Sequence, residues 1–176
     1  GVLFVILLST MMLPWQVTFI PKFLLFKELG WLGTYLPILV PTFFGHAFFI
    51  FLARQFFMTI PIELDDAARI DGCGHLGIYI WIMLPLSKPV LATVAIFAFM
   101  FSWNDFFQPL IYLQEMELFT LPVGLNFYRG AFVTGGRTEW ELLMAGSVLS
   151  IVPLLVVFFL AQRLFVRGVV ITGLKG

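Results

Sequence analysis

The carboxylates of Glu63, Asp65, Asp66 and Asp71 fall within nine residues of a chain in which only 11% of residues are charged. They belong to segment 59–89, TIPIELDDAARIDGCGHLGIYIWIMLPLSKP, which lies between two long apolar runs. Bond-breaking chemistry would need a convergent nucleophile and base. No Ser/His or Cys/His pair is placed within the apolar runs to supply them. Metal binding would fall to Cys73 and His75, two ligands beside a glycine turn where a closed zinc site uses four. No phosphate loop of the form GxxxxGK[ST] occurs, so ATP is not bound by that route. What remains is recognition: an acidic segment between greasy ones presents a surface to something in water.

The elements that must position this segment are membrane helices. Of 176 residues, 61% are hydrophobic and 22 are Phe, and the mean hydropathy is +1.03. Soluble domains carry about 25% charge, so the composition is that of an integral membrane protein. Net charge is zero, which suggests no nucleic-acid partner. Cys73 is the only cysteine and rules out an internal disulfide. The chain opens at Gly1 inside an apolar run, with no basic n-region and no cleavage site. It reads as a piece whose N-terminal part is missing.

Four spans are expected, at about 1–20, 33–53, 90–107 and 142–162. Pro14 is expected to end or kink the first near its outer end. Residues 21–34, PKFLLFKELGWLGT, read as a short interfacial helix. Pro37 and Pro41 fall in the second span, where neighbouring helices can satisfy the freed carbonyls. Residues 72–87 lack Asp, Glu, Lys and Arg, but this run is short, is weakened by Gly72, Gly74 and Gly77, and is broken by Pro85 and Pro89. It reads as an interfacial or protein-covered helix rather than a fifth span. Arg54, Arg69, Lys88, Arg163, Arg167 and Lys175 fall on one side, and Lys22, Lys27, Arg129 and Arg137 on the other. The excess places segment 59–89 and the C-terminus in the cytoplasm.

Within the segment, Pro61 suits a first helical turn, where its missing N–H is not needed. Glu63, Asp65 and Asp66 then lie at the positive end of the helix dipole. Asp71-Gly72 ends the helix, with Gly72 free to take the left-handed conformation. A second helix is expected from about Leu76 to Leu84, stopping before Pro85. Ala67 and Ala68 are small enough for a partner's backbone to approach closely.

The run Asp66-Ala67-Ala68, three residues, Gly72, nine residues, Ile82, one residue, Leu84-Pro85 resembles the EAA loop of ABC-importer permeases. Ile60-Pro61, Glu63-Leu64, Ile70-Asp71-Gly72, Lys88-Pro89, Trp103-Asn104-Asp105 and the terminal Gly173-Leu174-Lys175-Gly176 are similar to the carbohydrate-uptake branch typified by the second membrane subunit of the maltose transporter. Asp66 stands where the family usually has Glu; it keeps the charge and reaches one methylene less far. The resemblance implies an all-α polytopic membrane bundle of the type I ABC-importer permease kind, with about four transmembrane helices here and a cytoplasmic helix-turn-helix coupling loop. It implies that Glu63, Asp65, Asp66, Ala67, Ala68, Asp71, Gly72 and Pro85 meet an ATPase subunit. It implies a second permease subunit, two ATP-binding subunits that carry ATP and magnesium, and an extracytoplasmic sugar-binding protein as partners. The setting is the bilayer of a bacterial or archaeal plasma membrane. The chain itself would hold no cofactor and no metal and would catalyse nothing.

Trp103, Asn104, Asp105 and Gln108 form a polar and aromatic group at the outer end of the third span. Ionisable groups at membrane depth are functional candidates, and hydroxyl-directed hydrogen bonds beside aromatic faces are what a sugar needs. The same residues also read as a helix C-terminal motif with Trp103 in the aromatic belt. His46 reads either as a pathway residue or as a histidine bonded to a neighbouring helix. Gly135-Gly136 and Arg137 read as a contact for the external binding protein or as a simple loop. An autonomous channel or secondary transporter is the competing class. It predicts a discontinuous helix or ionisable groups at mid-membrane, and only His46 and Asp105 offer any.

Overall fold

The computed structural model describes residues 1–129 and 140–172, which form helices joined by turns and short extended or irregular links. The first apolar run forms α1 (Val2–Met12) and then turns through 94° into α2 (Trp15–Glu28). Pro14 has no amide hydrogen to continue α1, and Leu13 before it is held extended (φ −77°, ψ 119°). The interruption expected at Pro14 is thus a sharp turn between two arms rather than a kink near the end of one span. The second arm passes straight through Pro21 at the loss of one intrahelical hydrogen bond.

Residues 36–57 are long and apolar enough to cross a bilayer. They run as α3 (Leu36–Leu39), a 3₁₀ stretch (Val40–Phe44), a break at Gly45–His46, and α4 (Ala47–Phe57). The helix thus continues past Arg54, expected to end it. The polar segment supplies α5 (Glu63–Ile70) and a helix over His75–Leu86 made of α6 (His75–Gly77), a π-helical stretch (Ile78–Met83) and α7 (Leu84–Leu86). This helix does not stop before Pro85. The Leu84 amide reaches back five residues to the Tyr79 carbonyl, and the π geometry carries the chain past the proline. A 69° bend at Ser87 leads into α8 (Lys88–Trp103), then α9 (Phe107–Tyr112), a 3₁₀ turn (Met116–Leu118), α10 (Leu121–Arg129) and the 33-residue α11 (Trp140–Thr172).

The helices are joined mainly through aromatic side chains. Phe4 of α1 stacks on Phe51 of α4 at 6.1 Å, and the Arg54 guanidinium lies 4.1 Å above the Phe4 ring. Phe48 and Phe49 of α4 meet Phe97 and Phe101 of α8. The Trp103 indole N–H donates to the Ser150 carbonyl of α11 at 3.0 Å. A Cβ on Gly146 of α11 would collide with Leu125 of α10, so glycine permits that crossing. Many large apolar residues of α11, among them Val148, Leu149, Phe158, Phe159 and Leu160, stand more than half exposed, as a lipid-facing surface requires.

Candidate functional site

The helix-turn-helix over 63–86 is built from local signals. Glu63, Asp65 and Asp66 occupy the first turn of α5 and Arg69 the last, which suits the dipole at both ends. Arg69 Nη2 lies 3.0 Å from Asp65 Oδ2, one helical turn away. The helix ends in a Schellman motif. The Cys73 amide donates to the Ala68 carbonyl at 2.9 Å and the Gly72 amide to the Arg69 carbonyl at 3.0 Å. Gly72 has φ +84°, a left-handed value that side chains resist.

The end of α5 fixes which residues look outward. Glu63, Asp66, Ala67 and Ile70 follow helical spacing on one exposed face, with Ile70 86% accessible. Ala68 is buried by the chain itself, and α5 packs against the π stretch that follows. Ala67 alone of the two alanines offers a small surface to a partner, because successive helical residues are about 100° apart. Asp71 and Gly72 are exposed at the turn, and Pro85 is exposed on α7. The packing is closed at its far end by Ser87. It is fully buried, and its hydroxyl and amide both donate to the Met83 carbonyl, at 2.5 and 3.0 Å. Beneath the start of α5 an apolar hollow of about 410 Å³ is lined by Phe57, Met58, Ile60, Pro61 and Met83, with Asp65 at its edge.

The group at 103–108 is engaged within the chain. The Trp103 indole is bonded to α11 and stacks on Phe99 at 5.6 Å. Asn104 Nδ2 donates to the Met100 carbonyl at 2.8 Å, and Asp105 Oδ1 accepts from the Gln108 amide at 3.3 Å. These contacts end α8 and begin α9. Next to them Tyr112 is buried among Phe19, Phe23 and Phe26. Burial first, and then the Asp105 carboxylate, push its phenol above the usual pKa of 10.0. Cys73 and His75 are exposed, and among the described residues no three His, Cys, Asp or Glu side chains gather as metal ligands. Gly135, Gly136 and Arg137 lie outside the described residues.

Residues 1–171 match the family model described as binding-protein-dependent transport system inner membrane component. The chain belongs to this family. It is an inner-membrane, multi-pass component of the ABC-importer permease class. It is 39% identical over 173 residues to an arabinooligosaccharides transport system permease protein, AraQ, of Halalkalibacterium halodurans, covering 98% of this chain and 60% of that protein. It is 38% identical over 162 residues to the sn-glycerol-3-phosphate transport system permease protein UgpE of Shigella flexneri, covering 92% and 56%. The fold is similar to that in the crystal structure of a bacterial ABC transporter involved in the import of the acidic polysaccharide alginate, with a TM-score of 0.77 at 30% identity over 92% of this chain and 60% of that one. The chain thus spans about three-fifths of the length of the curated relatives it matches.

The bend at Ser87 accords with the prolines at 85 and 89, but the break at Gly45–His46 has no strong local signal, lying inside a run that otherwise reads as continuous apolar helix.

Proposed function

We propose that this chain is the membrane-spanning permease subunit of an ATP-driven, binding-protein-dependent sugar importer. It forms the translocation pathway with a second permease and couples to two ATP-binding subunits through segment 59–89. The observation that carries this is the outward face of α5: Glu63, Asp66 and Ile70 exposed in a row on a helix whose opposite face is packed and whose end is locked by Gly72. Such a face fits a groove on another protein. ATP and magnesium would be held by that partner. Closure of two such partners would move α5, and the packed unit over 63–86 would transmit the movement through Ser87 to α8, giving alternating access. Segment 59–89 and the C-terminus then lie in the cytoplasm, and an extracytoplasmic sugar-binding protein meets the opposite end. The sugar class rests on two of the similar proteins, whose printed cargoes are arabinooligosaccharides and alginate; the third printed cargo, sn-glycerol 3-phosphate, is a phosphorylated polyol.

The test is co-purification. The unaltered chain should bring an ATP-binding subunit with it from solubilised membranes, and the double variant Glu63→Lys with Asp66→Lys should lose it while remaining inserted. Equal recovery of that subunit by both would overturn the coupling role of α5. The Gly45–His46 break also fits an autonomous transporter with a discontinuous helix. Solute uptake in vesicles free of any ATP-binding subunit would favour that reading instead.

A further inference from the structure

The break in the 36–57 segment exposes polar backbone where lipid cannot serve it. Gly45 has φ +80° and ψ 160°, a conformation open in practice only to glycine, and His46 is extended at φ −110°, ψ 130°. In the 22 residues from Leu36 to Phe57, Gly45 is the tenth and His46 the eleventh, so the break falls at the middle of a membrane-length stretch. His46 Nδ1 accepts from the Phe48 amide at 3.3 Å, which leaves Nε2 directed away from the first turn of α4. Among the described residues the His46 amide and the Gly45 carbonyl have no hydrogen-bond partner. Both residues are exposed on this chain, as are Phe43 and Phe44 before them.

Non-helical backbone at membrane depth persists only where protein or water covers it. The chain shows the covered alternative elsewhere. Pro153 of α11 cannot donate to the Leu149 carbonyl, and the adjoining Ser150 carbonyl is met by the Trp103 indole from α8. No described residue does the same for Gly45–His46. A donor, an acceptor and an ionisable ring nitrogen crowd into two residues. Water satisfies all of them without a matching surface, and ionisable side chains at mid-membrane mark solute pathways.

We infer that the Gly45–His46 break lines the water-filled translocation pathway, with the His46 ring and the freed backbone groups offered to polar solutes passing it. This rests on the permease reading. The test is thiol accessibility in the assembled transporter, in native membranes, with Cys73→Ser as background. His46→Cys should react with the membrane-impermeant reagent 2-(trimethylammonium)ethyl methanethiosulfonate at least about tenfold faster than Val156→Cys on the apolar face of α11, because water reaches one and hydrocarbon the other. Equal slow rates, or disulfide capture of His46→Cys by the second permease in place of labelling, would overturn the inference. If His46→Cys fails to assemble, hydrogen–deuterium exchange of the unaltered transporter decides. A peptide over 42–50 should exchange well before one over 92–100 of α8, and equal protection would overturn the inference. An ATP-binding subunit that co-purifies while position 46 stays unreactive defeats this inference alone. Its absence from the unaltered preparation defeats the permease reading.

Discussion

The two ends of the helical bundle are built on opposite plans. At one end, α5 and the helix over His75–Leu86 stand clear of the rest, with acidic and apolar side chains outward and only Ala68, Ile78 and Ser87 buried. At the other, the chain closes on itself. Tyr112, Leu113 and Val123 are buried there. The Gly33 amide donates to the Tyr112 carbonyl at 2.8 Å, and the Tyr35 hydroxyl donates to the Leu118 carbonyl at 2.7 Å across 83 residues. The open end is made of short-range bonds and can move as a unit. The closed end is made of long-range contacts and holds the helices in place. A part that transmits force to or from a partner belongs to the first kind, and a fixed frame belongs to the second.

Substitutions at the two ends should therefore fail in different ways. The largest loss of stability is expected for Tyr112→Ala, about 3–5 kcal/mol, since it removes a buried ring stacked on Phe19 and Phe23 and met edge-on by Phe26. Thermal unfolding in detergent should show a lowered midpoint, with less protein recovered from membranes. An unshifted midpoint would dissolve the contrast. Next comes Gly72→Val. Nothing crowds the missing Cβ, so the cost is the strain of a left-handed residue, about 1–2 kcal/mol. The chain should still insert, while ATP hydrolysis and uptake become uncoupled. Gly72→Asn, which tolerates that conformation, should be milder, and equal uptake by all three forms would remove Gly72 from the coupling argument. Trp103→Phe keeps ring packing but leaves the Ser150 carbonyl without the indole, and should lower stability by about 1 kcal/mol. The smallest effect belongs to Arg69→Ala. It breaks an exposed pair whose worth is about 0.3–0.5 kcal/mol, so its unfolding midpoint should barely move.

The same contrast explains what was legible in the sequence. The α5 turn depends on neighbours in the chain: carboxylates at a helix start, a glycine at its end. Those signals read directly, down to the left-handed Gly72. Pro14 was legible as a break, but its consequence was larger than a kink, because the pre-proline Leu13 redirects the whole of α2 by 94°. Pro85 misled in the opposite sense, since a π stretch absorbs it. The break at Gly45–His46 had no clear local signal. One glycine among phenylalanines is a weak interruption, and attention falls on Pro37 and Pro41, which the helical and 3₁₀ turns accommodate. The bonds of Asn104 and Asp105 are local and fit the helix-end reading, whereas Trp103 depends on Ser150, 47 positions away, and no spacing rule reaches that far.

Adjacent alanines decide which face of α5 meets a partner. In a Cys73→Ser background, cysteine is placed at Ala67, Ala68 or Ile70, labelled with a thiol-reactive benzophenone and irradiated in membranes holding the whole transporter, so that the partner needs no thiol of its own. Adducts with an ATP-binding subunit are expected from positions 67 and 70 and not from the buried position 68. Adducts from 68 alone, or from none of the three, would contradict the account.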